Sequence, residues 1–344
     1  MDVTIPFVIG ATLIGSVIVL APVTKYALDM YPFLYANTRC SSRSGLLLSK
    51  KVYEELLAAT SKEESFALLE DSAYNAIVEH SKEFFLFSKA IQDDLYKTYL
   101  WLSSIMPQQL TPIINSLKLK FEINEIKKVL ADLKENNPIN EIKYVHNHEF
   151  KLRLEGVKDE QSFYSAIEGT PYASLLQGKS LDNLRTINTL LDRYYLLNFS
   201  STLNAIKDTE ATEPFAEYLS ALIDLSNLRL IIRSIESKTV PELIDGGTIK
   251  KDEIEGINDK AQLETALSNT LYAEEITNVN NLEKGFYRYL LKLANNLSAK
   301  YTIKSGAIIR FLILKEIEII NLNTIIKLKS ENFEQEKIRE HLII

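Results

Sequence analysis

Glu155-Gly156 … Asp159 … Ala166 … Thr170 … Tyr172 returns one hundred residues later as Glu255-Gly256 … Asp259 … Ala266 … Thr270 … Tyr272. A more degenerate copy lies upstream. There Leu69-Glu70-Asp71-Ser72-Ala73-Tyr74 aligns with Ile167-Glu168-Gly169-Thr170-Pro171-Tyr172 and Leu267-Ser268-Asn269-Thr270-Leu271-Tyr272. Downstream, each copy carries an acid followed three residues later by an aromatic: Asp93/Tyr96, Asp192/Tyr195 and Glu283/Phe286. Further on comes an acid, a polar residue three later, then apolar residues at helical spacing. These are Glu122…Glu125, Asp224…Asn227 and Glu318…Asn321. A fixed order of marks repeating about every hundred residues indicates a triplicated unit, with approximate threefold symmetry or a stacked array as the expected product.

At 344 residues the chain exceeds a usual single core, and 46% apolar residues supply enough material for several. Glycine (11) and proline (9) are scarce, which favours long helices over tight turns. A net charge of −7 offers no basic footprint, so nucleic acid is not an expected partner. The single cysteine, Cys40, excludes an intramolecular disulfide framework.

Apolar residues recur at three- and four-residue spacing over 75–106, 112–134, 181–205, 213–236, 281–299 and 305–328, so the expected fold class is all-α. Lys134-Glu135-Asn136-Asn137-Pro138 and Thr239-Val240-Pro241, the latter leading to Asp245-Gly246-Gly247, interrupt the helical pattern. They place domain boundaries near 138 and 240. The expected units are 31–137, 138–239 and 240–344.

The run Val3–Thr24 carries no charge and is bracketed by Asp2 and Lys25. As a helix its 22 residues would extend about 33 Å, enough to cross a hydrocarbon core of about 30 Å. Pro6 falls in a first turn and Pro22 near the end. A signal peptide and a buried amphipathic helix are the rival readings, although Asp2 gives no positive n-region and Leu20-Ala21-Pro22 is a poor cleavage site. Lys25, Arg39 and Arg43 follow the run with nothing basic before it, which places the N-terminus outside and the body in the cytoplasm.

No constellation supports chemistry. Gly178-Lys179-Ser180 resembles the end of a phosphate-binding loop, but the position five residues before Gly178 is Ala173 and no strand precedes it. A helix-capping glycine followed by a capping serine is the expected reading. His146 and His148 have only His80 and His341 to complete a metal site. Cys40 sits among serines without a nearby histidine. Glu122, Asp224 and Glu318, one per unit, suit a structural or interface role. Tyr96, Tyr195 and Phe286 are expected in the core. Arg39 and Arg43, in Tyr35-Ala36-Asn37-Thr38-Arg39-Cys40-Ser41-Ser42-Arg43, are the candidate interface residues, with capping and salt-bridging of the first helix as the alternative.

The start Tyr35-x-Asn37-x-Arg39 followed by Leu46-Leu47, the connector Pro241-x-Leu243 … Gly246-Gly247-x-Ile249 and the motif Asp224-x-x-Asn227-Leu228 resemble one family. It is that of the C subunit of archaeal A-type and bacterial V-type ATP synthases, similar to the d subunit of eukaryotic vacuolar ATPases. The resemblance covers roughly 31–344, and the run 3–24 lies outside it. It implies an all-helical funnel of three similar domains around a pseudo-threefold axis. The broad face would sit on the cytoplasmic side of the membrane-embedded proteolipid ring, and a central cavity would receive the central stalk. It implies a non-catalytic rotor subunit that couples ion-driven rotation to ATP synthesis, with proteolipid-ring and central-stalk subunits as partners and neither cofactor, metal nor nucleotide bound. The coupling-ion site would lie on the proteolipid. A membrane-tethered helical-repeat scaffold is the alternative, although solenoid repeats are shorter and more numerous.

Overall fold

The computed structural model describes residues 4–139 and 141–344, with side chains described from residue 24 onward. Among them every regular element is helical. The chain opens with α1 (Thr4–Ser44), then runs through three short helices, α2 (Lys50–Ala58), α3 (Lys62–Glu70) and α4 (Asn75–His80). Two long ones follow, α5 (Phe84–Ile105) and α6 (Thr111–Glu135). The same order returns as α7 (His148–Glu155), α8 (Glu160–Ile167), α9 (Pro171–Leu176), α10 (Leu184–Asn204) and α11 (Thr209–Ser237). It returns again, with a turn in place of the third short helix, as α12 (Lys251–Ile254), α13 (Lys260–Leu267), α14 (Leu282–Lys300) and α15 (Gly306–Ser330), followed by α16 (Gln335–His341).

The repeated marks are the punctuation of this order. Asp159 and Asp259 are the N-caps of α8 and α13, accepting from the backbone N–H of Ser162 and Gln262 at 2.8 Å, and Ser61 caps α3 in the same way. Ser72, Thr170 and Thr270 turn their hydroxyls back onto the carbonyls of Leu69, Ile167 and Leu267, taking up acceptors that a helix end leaves free. Each of the three long second helices is followed by a left-handed, non-glycine residue: Asn136, Lys238 and Asn332. Each lies fourteen residues after the repeated acid. The breaks read from sequence at 134–138 and 239–241 contain the first and adjoin the second of these turns.

The long helices pack as antiparallel pairs, α5 on α6, α10 on α11 and α14 on α15. The pairs join through α6 on α10, α11 on α14 and α15 back on α5. The six therefore close into a cycle, and the last long helix meets the first. One hydrophobic cluster gathers Ile123 through Leu191, including Phe150, Phe163 and Tyr172, and so draws on both sides of residue 138. The rest of the interior forms a second, larger cluster. Burial of each such Leu, Ile or Phe is worth about 1.5–3 kcal/mol.

Two sequence expectations meet a different structure. The run 75–106 is not one helix, because Ser81 and Glu83 leave helical geometry between α4 and α5. The N-terminal run is not a separate helix either. Helix α1 continues unbroken to Ser44 through Pro32. Proline removes one backbone donor, and the burial of Met30, Phe33, Ala36 and Cys40, chiefly against α15, holds the helix together across it. Among the described residues no helix is long and apolar enough to cross a membrane. The side chains of residues 3–23, on which the membrane-span expectation rests, lie outside those described.

Candidate functional site: three junctions, a cavity and the α1 arginines

The repeated tyrosine and the repeated acid, far apart in sequence, meet in space. Tyr172 donates its hydroxyl to Glu122, and Tyr272 to Asp224, each at 2.7 Å. Tyr74 donates to Glu318, across almost the whole chain. In all three, burial and then the neighbouring carboxylate push the tyrosine's pKa upward, so each stays a neutral donor.

The polar residue three positions after the acid grips a backbone segment. The Asn227 side chain donates to the carbonyl of Ile244 and accepts from its N–H, both at 2.8 Å. Asn321 does the same to Ile343, at 2.8 and 2.9 Å. Asp224 in turn accepts from the N–H groups of Thr248 and Ile249, and Glu318 from that of Leu48. The junction that Pro241–Ile249 makes continuously is thus completed at Glu318 and Asn321 by two segments far apart in sequence, the one at Leu48 and the one at Ile343. The Gly246-Gly247 pair has a steric reason. Gly246 has φ +99°, and a Cβ on Gly247 would lie 2.1 Å from the Asp224 carboxylate.

A second set of cross-links uses the residue five positions after the acid. Lys127 pairs with Asp192 at 2.5 Å, and Arg229 forks onto Glu283. The third position is Asn323, whose buried Oδ1 has no partner among the described residues. There Lys315 instead reaches Asp94, Glu318 and Tyr74 at 3.0, 3.2 and 2.7 Å.

Between α6, α10, α11, α14 and α15 lies a cavity of about 330 Å³, lined among others by Lys120, Asp192, Tyr195, Arg229, Arg233 and Glu316. Glu316 accepts from Lys120 at 2.6 Å, from Tyr218 at 3.2 Å and from Tyr99, closing the base of the cavity with a hydrogen-bonded network. Phe286 is fully buried, Tyr96 packs edge-on against Phe121, and Tyr195 borders the cavity.

The signature Tyr35-x-Asn37-x-Arg39 divides by face. Asn37 is buried and donates to the carbonyls of Thr302 and Lys304, tying α1 to the turn between α14 and α15. That anchoring role was not read from sequence. A lone buried polar residue on an otherwise apolar helical face was the available signal. Tyr35 and Arg39 point outward. Arg43 lies over the Trp101 ring at 3.8 Å, so it clamps α1 to α5 and is half-buried. The structure therefore separates the two candidate arginines, leaving Arg39 the more available.

The remaining candidates have local roles. Gly178 is left-handed after α9, and Ser180 accepts from the Asp182 N–H at 3.2 Å. His146 and His148 are exposed, His148 opening α7 beneath the Asn147 cap. Burial pushes the Cys40 thiol up to about 12. Among the described residues no group of three or more His, Cys, Asp or Glu is placed to hold a metal ion.

Comparison with known proteins gives a consistent assignment. The C subunit of the A-type ATP synthase of Methanocaldococcus jannaschii is 26% identical over 98% of this chain and 92% of its own. That of Methanothermobacter thermautotrophicus is 26% identical over 97% and 93%, and that of Thermococcus onnurineus 25% over 90% and 89%. The 2% of this chain left uncovered by the first of these is smaller than the 22-residue uncharged run, so that pairwise similarity extends into the run, while the match to the family as a whole begins after it, as read from sequence. A family model described as ATP synthase (C/AC39) subunit matches residues 36–341, and the chain belongs to that family.

Proposed function

We propose that the chain is the non-catalytic rotor subunit of an A/V-type ATP synthase, linking the proteolipid ring to the central stalk so that ion-driven rotation reaches the catalytic head. The observation that carries this reading is the closed cycle of six long helices, tied by three tyrosine–acid junctions, in a member of the ATP synthase (C/AC39) subunit family. A closed ring resists torsion because no pair can rotate without breaking buried bonds in its neighbours. The same recurrence supports three related units, about 31–137, 138–239 and 240–344, around a pseudo-threefold axis. A repeat scaffold of the solenoid kind would leave its two ends apart, whereas here Leu48 and Ile343 meet on α15.

In this reading the body lies on the cytoplasmic face, residues 3–24 enter the membrane with the N-terminus outside, and Arg39 contributes to docking. On the rotor axis such a helix would stand in the ring lumen, since a span outside the ring would sweep past the stator at each turn. Purification from membranes through a C-terminal tag tests the assignment. Proteolipid and central-stalk subunits are expected to co-isolate, and the isolated chain is expected neither to bind nor to hydrolyse ATP. Isolation as a free chain from intact membranes, or micromolar ATP binding abolished by Lys179→Ala, would overturn it.

A further inference from the structure

Three hairpin turns gather at one end of the body. They join α5 to α6, α10 to α11 and α14 to α15, and Asp208 ties them together, accepting from Gln109 at 3.1 Å and from Lys304 at 3.0 Å. Helix α1 passes this end, where Asp29, Met30 and Phe33 border Gln109, Asp208 and Lys304. Among its residues with described side chains the first buried one is Met30, and residues 24–29, more than one and a half turns, are exposed on every face. A helix standing free in water would be expected to be polar all round. This one presents Tyr26, Leu28 and Tyr31 at 60, 68 and 67% exposure, with Leu34 and Tyr35 continuing the apolar surface. No other ten-residue stretch of the described chain exposes as many large apolar side chains.

The same helix reaches back into the uncharged run 3–24, which decides what covers this surface. From Thr24 to Tyr31 is about 10 Å along the axis, against an interfacial layer of roughly 5–8 Å on each side of the hydrocarbon. Tyrosine places its ring at that layer and its hydroxyl in water, and Lys25 can extend its ammonium to the headgroups. The charges around this place are mixed, Asp29, Asp208 and Glu210 beside Lys304, so attraction to anionic lipid is not the driving term.

We propose that Tyr26, Leu28 and Tyr31 form an aromatic and apolar collar seated in the headgroup layer of the bilayer, with the hairpin-turn end of the body facing the membrane. The proposal rests on residues 3–24 acting as the anchor. Its test uses the full chain in phosphatidylcholine vesicles, spin-labelled at Leu28→Cys, Tyr31→Cys or Phe85→Cys. Phe85 is exposed at the far end of α5, roughly 30 Å from the hairpin turn. Wild type, whose only thiol is the buried Cys40, is the labelling control. The ratio of collisions with oxygen to collisions with a water-soluble nickel complex should be several-fold higher at 28 and 31 than at 85. Vesicle-bound chain with equal ratios at all three sites would overturn the collar while leaving the anchor intact. Chain that stays in solution would overturn the anchor, and the collar with it.

Discussion

The junction around Asp224 and the junction around Glu122 occupy the same place in the repeat and are built to different completeness. Asp224 is fully buried and takes three donors, the Tyr272 hydroxyl and two backbone N–H groups, while Asn227 beside it satisfies Ile244 in both directions. Glu122 is half-buried and takes only the Tyr172 hydroxyl among the described residues. Its neighbour Glu125, 6% exposed, accepts a 3.5 Å bond from the Lys143 N–H and leaves Oε2 without a partner. A carboxamide can donate and accept at once, whereas an ionised carboxylate only accepts. The first junction therefore lacks half of the grip that the other two share, and the rigidity of the cycle is unevenly distributed.

The largest expected effect separates the two acids. Asp224→Ala strands three donors in the core and should cost about 3–5 kcal/mol, whereas Glu122→Ala should cost about 1 kcal/mol. Urea denaturation of the two variants checks this, and equal losses would dissolve the contrast.

Next comes the residue three positions on. Asn227→Asp should convert the second junction into a copy of the first and cost about 1–3 kcal/mol at neutral pH. Glu125→Gln should do the reverse and stabilise by up to about 1 kcal/mol. Burial raises the Glu125 carboxyl above its ordinary 4.5, opposed by Lys128 on its own helix, by Lys143 and its N–H, and by Lys89 on α5. Glu141 and Asp93 pair with Lys89 and Lys143. A group raised on folding contributes stability that is complete below its unfolded value and is lost as pH rises through the folded one. The gain from Glu125→Gln should therefore be larger at about pH 8 than at about pH 5. The same gain at both would show that Glu125 does not titrate differently in the folded state.

How much of this was legible follows from which residues carry it. The tyrosine and acid marks were visible because each junction needs a phenol at one place and a carboxylate, Glu122, Asp224 or Glu318, at the other. The all-helical class was visible because α6, α10, α11, α14 and α15 keep apolar spacing over five or more turns. The pairing of Tyr74 with Glu318 was not legible, since no local pattern says which acid a tyrosine 244 positions away will meet. Nor was the difference between Glu125 and Asn227, which share polarity and spacing and differ only in whether they can donate. The sequence left the arginines open between an interface role and a helix-capping one, and geometry was needed to place Arg43 on Trp101.

Smaller effects sharpen the comparison at the helix ends. Lys238 holds φ +54°, a conformation costing a lysine about 1 kcal/mol that asparagine tolerates better. Lys238→Gly should stabilise by about 1 kcal/mol and Asn136→Gly by a few tenths at most. Calorimetric melting of the two variants checks the order. At the surface, Arg39→Glu should weaken docking of the body in the proposed assembly by a few-fold, more at low salt than at high, because exposed charges are screened. Arg43→Glu should also loosen α1 from Trp101, and so lower the melting temperature where Arg39→Glu does not.

Ion pumping by membranes that contain or lack this chain tests the coupling role most directly. With the chain removed and then added back, the head should hydrolyse ATP in both conditions, while ATP-driven ion uptake should vanish without it and return with it. Uptake that persists in its absence would contradict the coupling role, and so would hydrolysis at the head that is lost with the chain and restored by it.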